Sequence, residues 1–465
     1  MKGIKNFLNP ASIAVVGAGE RPTSSGGAVL RNLQRSGYRG RIVPVNPKGG
    51  EIFGMKVATS LGELDRPVDL VTILVRPDSI IDVINEGVQA GHRNFLVLPG
   101  GFAEAGEAGR VRDVQLRKLA EERQLVIGGP NCAGVINLLD TSSPFAATFL
   151  RDMPLGGGVA LISQSGAIIE EAIDASHRIG IPLGAVVSVG NSMQLGVIEY
   201  LQHFGQDVHC KVILLYVESL NDAQRFAQAA REVTRGKPVV ALIGGRTAAG
   251  REAAFRHTGS RPADNEAMEE FCRSNGIVRV KSLRRLLLAG KAFGAFPQGI
   301  GNRVLVLSNS GGPGVLAADQ SLDEGLFLPN LPHSMADKLR TALPPEASVA
   351  NPVDLLADAR EDRFAVALDT AFAAGEAAFD AILMIHIVPF MVEADPIVAA
   401  IADRCGKAGI PVLHSMMGTL DRRVDWFAQL ERVGVPVFSD AEEMCAAAGL
   451  LARYRELNVP LVKKR

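Results

Sequence analysis

Short apolar runs alternate with amphipathic segments along the whole of this 465-residue chain, and that alternation limits what the chain can fold into. The first five runs are SIAVVG (12–17), RIVPVN (41–46), DLVTILV (69–75), NFLVLPG (94–100) and QLVIGG (124–129). Between the first two, Val29, Leu30 and Leu33 share one helical face, and Gly37 can end that helix. The pattern predicts an α/β protein with parallel sheets, whose first domain, residues 1–150, is Rossmann-like.

Two further series of strands and helices begin with matching sequences. One opens at GGGVALISQSGAIIEEAID (156–174) and the other at GNRVLVLSNSGGPGVLAADQ (301–320). Each has an apolar strand, then Ser-x-Ser-Gly, then an Ala-rich helix. The repeat predicts two related flavodoxin-like domains, 151–298 and 299–465, joined near the Gly- and Pro-containing segment 293–302.

Composition excludes several classes of protein. A formal net charge of -1 and only 5% aromatic residues argue against nucleic acid as the main partner. The cysteines form no C-x-x-C pair, so we expect free, buried thiols and no metal site; they are Cys132, Cys210, Cys272, Cys405 and Cys445. No apolar run is long enough to cross a membrane, and we expect a cytoplasmic protein.

The first strand-to-helix loop, VVGAGERPTSSGGAVL, is of a kind that binds phosphates at a helix N-terminus. It is not G-x-G-x-x-G, because Pro22 interrupts it, so dinucleotide, nucleotide and coenzyme A all remain open. The second strand ends in VPVNPKGG, with Asn46 and Lys48 and no acid before Glu51. A cation there suits a phosphorylated ribose, as in NADP or the 3′-phosphate of coenzyme A. Lys48 could equally be an exposed turn lysine.

The two Ser-x-Ser-Gly turns are a second pair of candidate phosphate sites. They comprise Ser163, Gln164, Ser165 and Gly166, and Ser308, Asn309, Ser310 and Gly311. Each ends a buried strand and opens a helix, so the first-turn N–H groups could hold a phosphoryl group between them. Either turn alone is also an ordinary helix cap.

One histidine, His257, lies among small residues in AAFRHTGSRPAD, which we interpret as a loop. Imidazole can become a phosphorylated intermediate near neutral pH, because it is nucleophilic when partly deprotonated. Glu218, at the end of KVILLYVES, is the acid best placed to fix its tautomer. His386 and His414 lie in apolar strands and are expected to be structural.

Taken together, these segments resemble the α subunit of the ADP-forming acyl-CoA synthetases, relatives of succinyl-CoA synthetase. The pieces include IVPVNPK, GGFAEAGEAG, GPNCAG, LISQSGAIIEEA, SVGN, YVES, GRTAAGREAAFRHTGS, SNSGGPGVLAAD and NPVDLL, in fixed order over nearly the whole chain. The resemblance implies a relay. Acid and ATP become an acyl phosphate on an ATP-grasp module, CoA displaces the phosphoryl group, and a histidine carries the phosphoryl group back to ADP.

The resemblance assigns roles to particular residues. His257 would be the carrier and Glu218 the acid that orients it. Ser163–Gly166 and the turn with Ser310, Gly311 and Gly312 would hold phosphate, and Asn131 would lie near the phosphate and the acyl group. Gly17, Ser25, Asn46 and Lys48 would cradle coenzyme A.

Two departures from the family pattern concern the site. Arg256 stands where the family has Ser before His-Thr-Gly, which adds a cation near the phosphoryl group or faces solvent. SMQLG (192–196) replaces a small residue and Asp after SVGN, which we expect to reshape a nearby loop and which puts a simple acetate specificity in doubt.

The resemblance also implies a partner. No ATP-grasp module follows residue 465, so ATP or ADP and Mg²⁺ are expected on a separate ATP-grasp β subunit, in an α2β2 heterotetramer that acts on a small carboxylic acid. The acid, and ADP versus GDP, stay open. The alternatives are a non-catalytic regulatory subunit that binds CoA or acyl-CoA, and an NADP-dependent oxidoreductase, for which no hydride-transfer residues are evident.

Overall fold

The computed structural model describes residues 3–220, 222–258, 264–407 and 409–462, without the side chains of residues 257–258 and 459–462. The chain divides into two compact units, Met1–Leu286 and Leu287–Arg465. Within the described residues, no helix has the length and apolar character needed to cross a bilayer.

A five-stranded parallel sheet opens the first unit, with strands in the order β2-β1-β5-β6-β7. A β3–β4 hairpin follows β2. The elements are α1 (Ile4–Leu8), β1 (Ser12–Val16), α2 (Ser25–Arg35), β2 (Arg41–Val45), β3 (Glu51–Ile52), β4 (Met55–Lys56), β5 (Leu70–Ile73), α3 (Ile80–Gln89), β6 (Asn94–Val97), α4 (Gly106–Arg123) and β7 (Val126–Gly128).

A second, seven-stranded sheet completes the first unit, in the order β14-β13-β12-β10-β11-β8-β9. Strands β10 to β14 are parallel, and β8 and β9 extend one edge in antiparallel fashion. The elements are β8 (Gly134–Asn137), β9 (Phe145–Thr148), β10 (Val159–Ser163), α5 (Gly166–Ile179), β11 (Leu183–Ser188), α6 (Val197–Gln206), β12 (Val212–Val217), α7 (Ala223–Thr234), β13 (Val239–Ile243), α8 (Ala248–Thr258), α9 (Asn265–Ser274) and β14 (Val278–Val280).

Helix α10 (Leu283–Ala295) runs into the second unit, which has a six-stranded sheet in the order β16-β17-β15-β18-β19-β20. All its pairings are parallel except β16–β17. The elements are β15 (Val304–Ser308), α11 (Gly311–Asp323), α12 (His333–Ala342), β16 (Ser348–Val349), β17 (Val353–Asp354), α13 (Glu361–Ala374), β18 (Ala381–Val388), α14 (Ala394–Cys405), β19 (Val412–Gly418), α15 (Arg423–Arg432), β20 (Val437–Phe438) and α16 (Ala441–Val462).

The parallel strands of the three sheets share one winding, 2-1-3-4-5 when each sheet's own parallel strands are counted along the chain. The predicted α/β class, with a Rossmann-like domain before two flavodoxin-like ones, is confirmed. The predicted domain boundaries stay predictions. By pairing, β8 and β9 belong to the second sheet, although they precede residue 150. All five cysteines are free and buried, as expected.

The core of the second unit contains two histidines that the sequence analysis expected to be structural. His386 on β18 and His414 on β19 are fully buried, with ring centroids 6.1 Å apart, and the ring of Phe364 lies 5.1 Å from that of His386. No ring nitrogen of either histidine has a hydrogen-bond partner in the described part of the chain. Burial lowers the pKa of His386 to about 4, and burial with the neighbouring His386 lowers the pKa of His414 well below its usual range.

We expect the second unit to lose stability as the pH falls from about 6.5 toward 4. In this range the histidines bind protons in the unfolded chain but stay neutral in the folded one. His386 alone should remove about 3 kcal/mol of unfolding free energy by pH 4. Denaturant titrations followed by the fluorescence of Trp426, the single tryptophan, measure this loss within the second unit. His386→Met should flatten the pH dependence, whereas exposed His333→Met should leave it as in the wild type. An unchanged slope in His386→Met would contradict the assignment.

Candidate functional site

The first sheet changes winding direction between β1 and β5, which is where ligands bind in doubly wound sheets. Gly17 follows β1 there with φ +90°, and its N–H donates to the Val45 carbonyl at 3.0 Å. A Cβ on Gly17 would lie 2.6 Å from the Leu74 carbonyl oxygen, so only glycine lets the two strand ends approach this closely.

Helix α2 begins at this switch point. The Ser24 hydroxyl accepts a hydrogen bond from the Gly27 N–H at 3.2 Å, which caps the third residue of the helix. The N–H groups of Ser25 and Gly26 have no partner within the helix and are suited to an anion. Ser25 itself lines a cavity of this unit.

Asn46 and Lys48 stand at the end of the neighbouring strand. The Asn46 amide donates to the Ala18 carbonyl at 2.7 Å and accepts from the Lys48 N–H at 3.0 Å, so it fastens the turn to the glycine loop. Lys48 is exposed. The structure therefore brings Gly17, Ser25, Asn46 and Lys48 to one edge of the first sheet; their contact with coenzyme A stays a prediction.

A cavity of about 520 Å³ lies between the carboxyl ends of the first sheet and the start of α5. Its lining residues are Ser25, Leu74, Leu98, Pro99, Gly100, Asn131, Cys132, Ala133, Phe149, Leu150, Gly166, Ala167, Glu170 and Ser188. The starts of α2 and α5 both open on it. The cavity thus combines two helix N-termini with a wall that is polar and apolar in equal measure, an arrangement suited to an anion joined to a less polar group.

The first Ser-x-Ser-Gly turn is built by its own side chains. The Ser163 hydroxyl accepts from the Ser165 N–H at 3.0 Å and donates to the Ser165 carbonyl at 2.8 Å, which fixes the turn. The Ser165 hydroxyl accepts from the Ile168 N–H at 3.5 Å as the helix cap. Gly166 and Ala167, the first two residues of α5, line the cavity, so their N–H groups are the ones suited to a phosphoryl group.

The second turn repeats the hydroxyl pattern. The Ser308 hydroxyl accepts from the Ser310 N–H at 3.0 Å and donates to the Ser310 carbonyl at 2.7 Å. Gly312 has open space beside it, but an added Cβ on Gly311 would lie 3.3 Å from the Asp354 carboxylate. The negative charge of that carboxylate lies at the start of α11 and would repel a bound anion. The start of α11 is therefore less suited to an anion than the start of α5. The two turns belong to different units, and their convergence on one phosphoryl group stays a prediction.

The second residue of each turn forms hydrogen bonds with the backbone near the end of a neighbouring strand, and the predicted contact of Gln164 with phosphate stays a prediction. The Gln164 amide oxygen accepts from the N–H groups of Glu218 (2.6 Å) and Ser219 (3.1 Å), and its nitrogen donates to the Ser219 carbonyl at 3.0 Å. Asn309 makes the equivalent pair of bonds, both 2.8 Å long, with the backbone of Ile387. Gln164 therefore couples the start of α5 to the backbone of Glu218.

Glu218 is half-buried just after β12, where sequence analysis placed it. Its carboxylate accepts a hydrogen bond from the Tyr216 hydroxyl at 3.2 Å. Burial, with the nearby Glu218 charge, raises the pKa of Tyr216 to about 12, so the phenol keeps its proton and remains a donor.

Residues 248–258 form helix α8, and this corrects the expectation of a loop around His257. Four alanines with Arg251 and Glu252 are strong helix formers, and the Thr247 hydroxyl accepts from the Gly250 N–H at 3.1 Å to cap the helix start. His257 belongs to the last turn of this helix. Its imidazole lies outside the described residues, so the predicted contact with Glu218 stays a prediction. Arg256 is exposed.

A polar network that the sequence analysis missed joins three loops at the cavity rim. The Asn131 amide donates to Asn191 at 3.3 Å, and Asn191 donates to the Glu104 carboxylate at 2.5 Å. Burial raises the pKa of Glu104, but the bonds from Asn191 and from the N–H groups of Gly101 and Phe102 outweigh it and lower the pKa. An ionised Glu104 thus orients Asn131. The only indication of Glu104 and Asn191 in the sequence was that GGFAEAGEAG and SVGN, which contain them, both occur in the family pattern.

The SMQLG segment is a structural brace. The Gln194 side chain accepts from the Ile127 N–H at 2.7 Å, and the Met193 N–H donates to the Gly129 carbonyl at 3.0 Å. Met193 and Leu195 are buried. The segment is therefore hydrogen-bonded to the residues that immediately precede the Asn131 turn.

Cys132 is the one thiol among the cavity-lining residues. Burial raises its pKa to about 12, and the sulfur lies 3.5 Å from the Val97 carbonyl. The thiol is therefore protonated and inert near neutral pH, and it is not a nucleophile for acyl transfer.

In the relay that the family resemblance implies, we expect Gln164→Leu to lower turnover about 10- to 100-fold, the range typical for loss of a group that orients a functional side chain. Leucine fills similar space but leaves the Glu218 and Ser219 backbone unheld. Steady-state kinetics should place the loss in kcat rather than in KM for CoA. Gln228→Leu, an exposed glutamine on α7, is the matched control. A Gln164→Leu enzyme with normal kcat would contradict the coupling.

The three parts of the chain match three known families. Residues 11–137 match a CoA binding domain, residues 156–293 a succinyl-CoA ligase like flavodoxin domain, and residues 304–457 a ligase-CoA domain.

Full-length similarity extends to named proteins. The chain is 33% identical over 456 residues to the α subunit of acetate–CoA ligase (ADP-forming) II from Pyrococcus furiosus, covering 96% of this chain and 97% of that subunit. It is 32% identical to acetate–CoA ligase (ADP-forming) I from Archaeoglobus fulgidus, covering 98% of this chain but 64% of that longer protein. Among solved structures, acetyl-CoA synthetase 1 from Candidatus Korarchaeum cryptofilum, in complex with phosphate and ADP, superposes with a TM-score of 0.92 at 29% identity, covering 100% and 99% of the two chains.

Proposed function

The chain belongs to the family of α subunits of ADP-forming acyl-CoA synthetases, and we propose that it is the CoA-binding, phosphoryl-carrying subunit of such a ligase. The proposed reaction is carboxylate + ATP + CoA = acyl-CoA + ADP + phosphate, in either direction. The observation that carries the proposal is that the starts of α2 and α5 open on one cavity, with Gln164 linking the second of them to Glu218.

Each group in the site has a place in this chemistry. In the direction that consumes acyl-CoA, inorganic phosphate held by the N–H groups of Gly166 and Ala167 attacks the thioester carbonyl. The C–S bond breaks, CoA leaves as a thiolate that takes up a proton, and an acyl phosphate remains.

The imidazole of His257 then attacks phosphorus, and the carboxylate leaves with the electrons of the P–O bond. Glu218 accepts the other imidazole N–H and stabilises the charge on the ring. The phosphoryl group passes from His257 to ADP.

We assign the nucleotide and Mg²⁺ to a separate ATP-grasp β subunit, in an α2β2 assembly. One comparison supports a separate partner. Relatives that match the chain from end to end are separate α subunits, whereas the longer Archaeoglobus ligase extends beyond the matched region. We also place the enzyme in the cytoplasm, consistent with five free thiols.

The test is acyl-CoA formation by the purified chain, alone and with its ATP-grasp subunit, from CoA, ATP and a panel of carboxylic acids. We expect turnover only when both subunits are present, with ADP and phosphate released in equal amounts. Full turnover by this chain alone would contradict the division of labour. CoA binding with no turnover of any acid by the pair would favour a regulatory CoA-binding subunit.

A further inference from the structure

We infer that Tyr216 is a positioning residue of the phosphoryl relay, whose hydroxyl holds the Glu218 carboxylate in the orientation that the histidine needs. The inference rests on the proposed function, which has Glu218 orient His257 and stabilise its charge. Two observations carry it. Gln164, Tyr216 and Glu218 form a closed cycle of hydrogen bonds, and the second unit repeats the backbone part of that cycle without its phenol and carboxylate.

Tyr216 lies on an interior strand of the second sheet, in apolar surroundings. The strand, β12, reads VILLYV; its other five residues are buried, and Tyr216 is half-buried. Tyr216 is paired in register with Ser163 on β10 and with Leu242 on β13. Because side chains alternate along a strand, Tyr216 and Glu218 project from the same face. A phenol in this setting needs a hydrogen-bond partner, since burying an unpaired hydroxyl is costly.

Three hydrogen bonds close the cycle. The Tyr216 hydroxyl donates to Oε1 of Glu218 at 3.2 Å. The Glu218 N–H donates to Oε1 of Gln164 at 2.6 Å, and the Gln164 N–H donates to the Tyr216 carbonyl at 3.2 Å. Gln164 thus fixes the backbone of Glu218 while Tyr216 fixes its carboxylate, so both the origin and the direction of this side chain are set. Bonds connected in this way reinforce one another.

The second unit contains the same backbone frame. In each of the two sheets the first parallel strand pairs with the third, so that β15 and β18 take the places of β10 and β12. The Asn309 N–H donates to the Ile385 carbonyl at 3.4 Å, and the Ile387 N–H donates to the Asn309 side-chain oxygen at 2.8 Å. These two bonds repeat those that Gln164 makes in the first unit.

The two units differ in the side chains that this frame carries. Ile385 occupies the position of Tyr216, and Ile387 occupies that of Glu218. Because two apolar residues satisfy the frame in the second unit, the fold itself does not require a hydroxyl and a carboxylate there. The pair therefore belongs to the site of the first unit and not to the sheet. Burial chiefly raises the pKa of Tyr216 to about 12, so its hydroxyl keeps the proton that it donates to the carboxylate.

The test compares Tyr216→Phe with the wild type in ATP-dependent acyl-CoA formation by the chain and the proposed ATP-grasp subunit. The substrates are CoA, ATP and whichever of acetate, propionate, isobutyrate, phenylacetate and succinate is turned over fastest. Phenylalanine keeps the aromatic ring and removes the hydroxyl, so kcat should fall about 10-fold, with the KM for CoA within about twofold of the wild type. Tyr38→Phe is the matched control, because it removes a phenol that donates to the Pro10 carbonyl at 3.0 Å, and it should keep the wild-type kcat.

The pH profile of kcat separates positioning from a merely structural role. Without the hydroxyl, the negative charge of Glu218 would attract a protonated imidazole more strongly, so the acid limb should move to higher pH by about half a unit. Glu218→Gln should move the same limb in the opposite direction. In the Glu218→Gln background, Tyr216→Phe should cost less than about twofold in kcat, because the charge that the hydroxyl orients is absent.

Three outcomes would overturn the inference: a wild-type kcat in Tyr216→Phe, an equal loss of kcat in both backgrounds, or an acid limb that does not move to higher pH. The proposed function would stand in each case, provided that Glu218→Gln and His257→Asn still lost turnover. If those two variants kept full turnover, or if the wild-type pair turned over no acid, the proposed function would be wrong and the inference would fall with it.

Discussion

Replacing His257 by asparagine should lower ATP-dependent acyl-CoA formation by at least about 10³-fold, the scale on which loss of a covalent nucleophile is felt. Asparagine keeps a polar side chain of similar length but cannot carry a phosphoryl group. Binding of CoA should persist, because the first residues of α2 and α5, which line the cavity, do not include His257. The measurement is steady-state turnover by the chain with the proposed ATP-grasp partner, with CoA affinity determined separately.

His209→Asn is the matched control for this variant, since His209 is exposed in the same unit and away from the cavity lining. It should keep wild-type turnover. If His257→Asn retained more than about a tenth of the wild-type rate, a phosphoryl relay through His257 would be excluded, since a covalent carrier cannot be dispensable.

Glu218→Gln should lower the same rate by about 10²-fold, the upper range for a residue that orients a functional histidine. The amide keeps the size of the side chain and the Tyr216 contact but removes the negative charge that stabilises a protonated or phosphorylated ring. The loss should appear in kcat, with the KM for CoA little changed.

The pH dependence of kcat is a second measurement. A purely structural role for Glu218 would leave this pH profile unchanged in Glu218→Gln. Without the carboxylate, the histidine loses a partner that favours its protonated form, so the acid limb of the kcat profile should shift to lower pH. Glu232→Gln, an exposed glutamate on α7, should leave both the rate and the profile as in the wild type. An unshifted profile with wild-type kcat in Glu218→Gln would contradict the assignment.

The sequence alone was sufficient to predict the strands of the first sheet and the turns that open α5 and α11. The five first-sheet strands, the face of α2 with Val29, Leu30 and Leu33, and the repeated Ser-x-Ser-Gly turns all follow from local periodicity and capping chemistry. These features depend on residues within about one helical turn of each other, which is the range that a pattern along the chain can report.

Local sequence patterns did not predict contacts between residues that are distant along the chain. The Gln164 amide binds backbone more than 50 residues away, at Glu218 and Ser219, which no local pattern indicated. The Asn131–Asn191–Glu104 network joins three separate loops in the same way.

The error over residues 248–258 has a different cause. Small residues around His257 suggested a loop, but alanine is the best helix former, and Thr247 provides the cap. Helical propensity, and not the small size of the residues, determined the local structure.

The most direct test of the central claim is phosphoryl labelling of the purified chain with radiolabelled inorganic phosphate and a panel of acyl-CoAs, with the label located by peptide mass spectrometry. The chain should acquire an acid-labile, base-stable label on His257 only when a cognate acyl-CoA is present, and His257→Asn should acquire none. If the chain takes up no label even with the proposed ATP-grasp subunit and γ-labelled ATP, or takes up label at a residue other than His257, a histidine relay is contradicted.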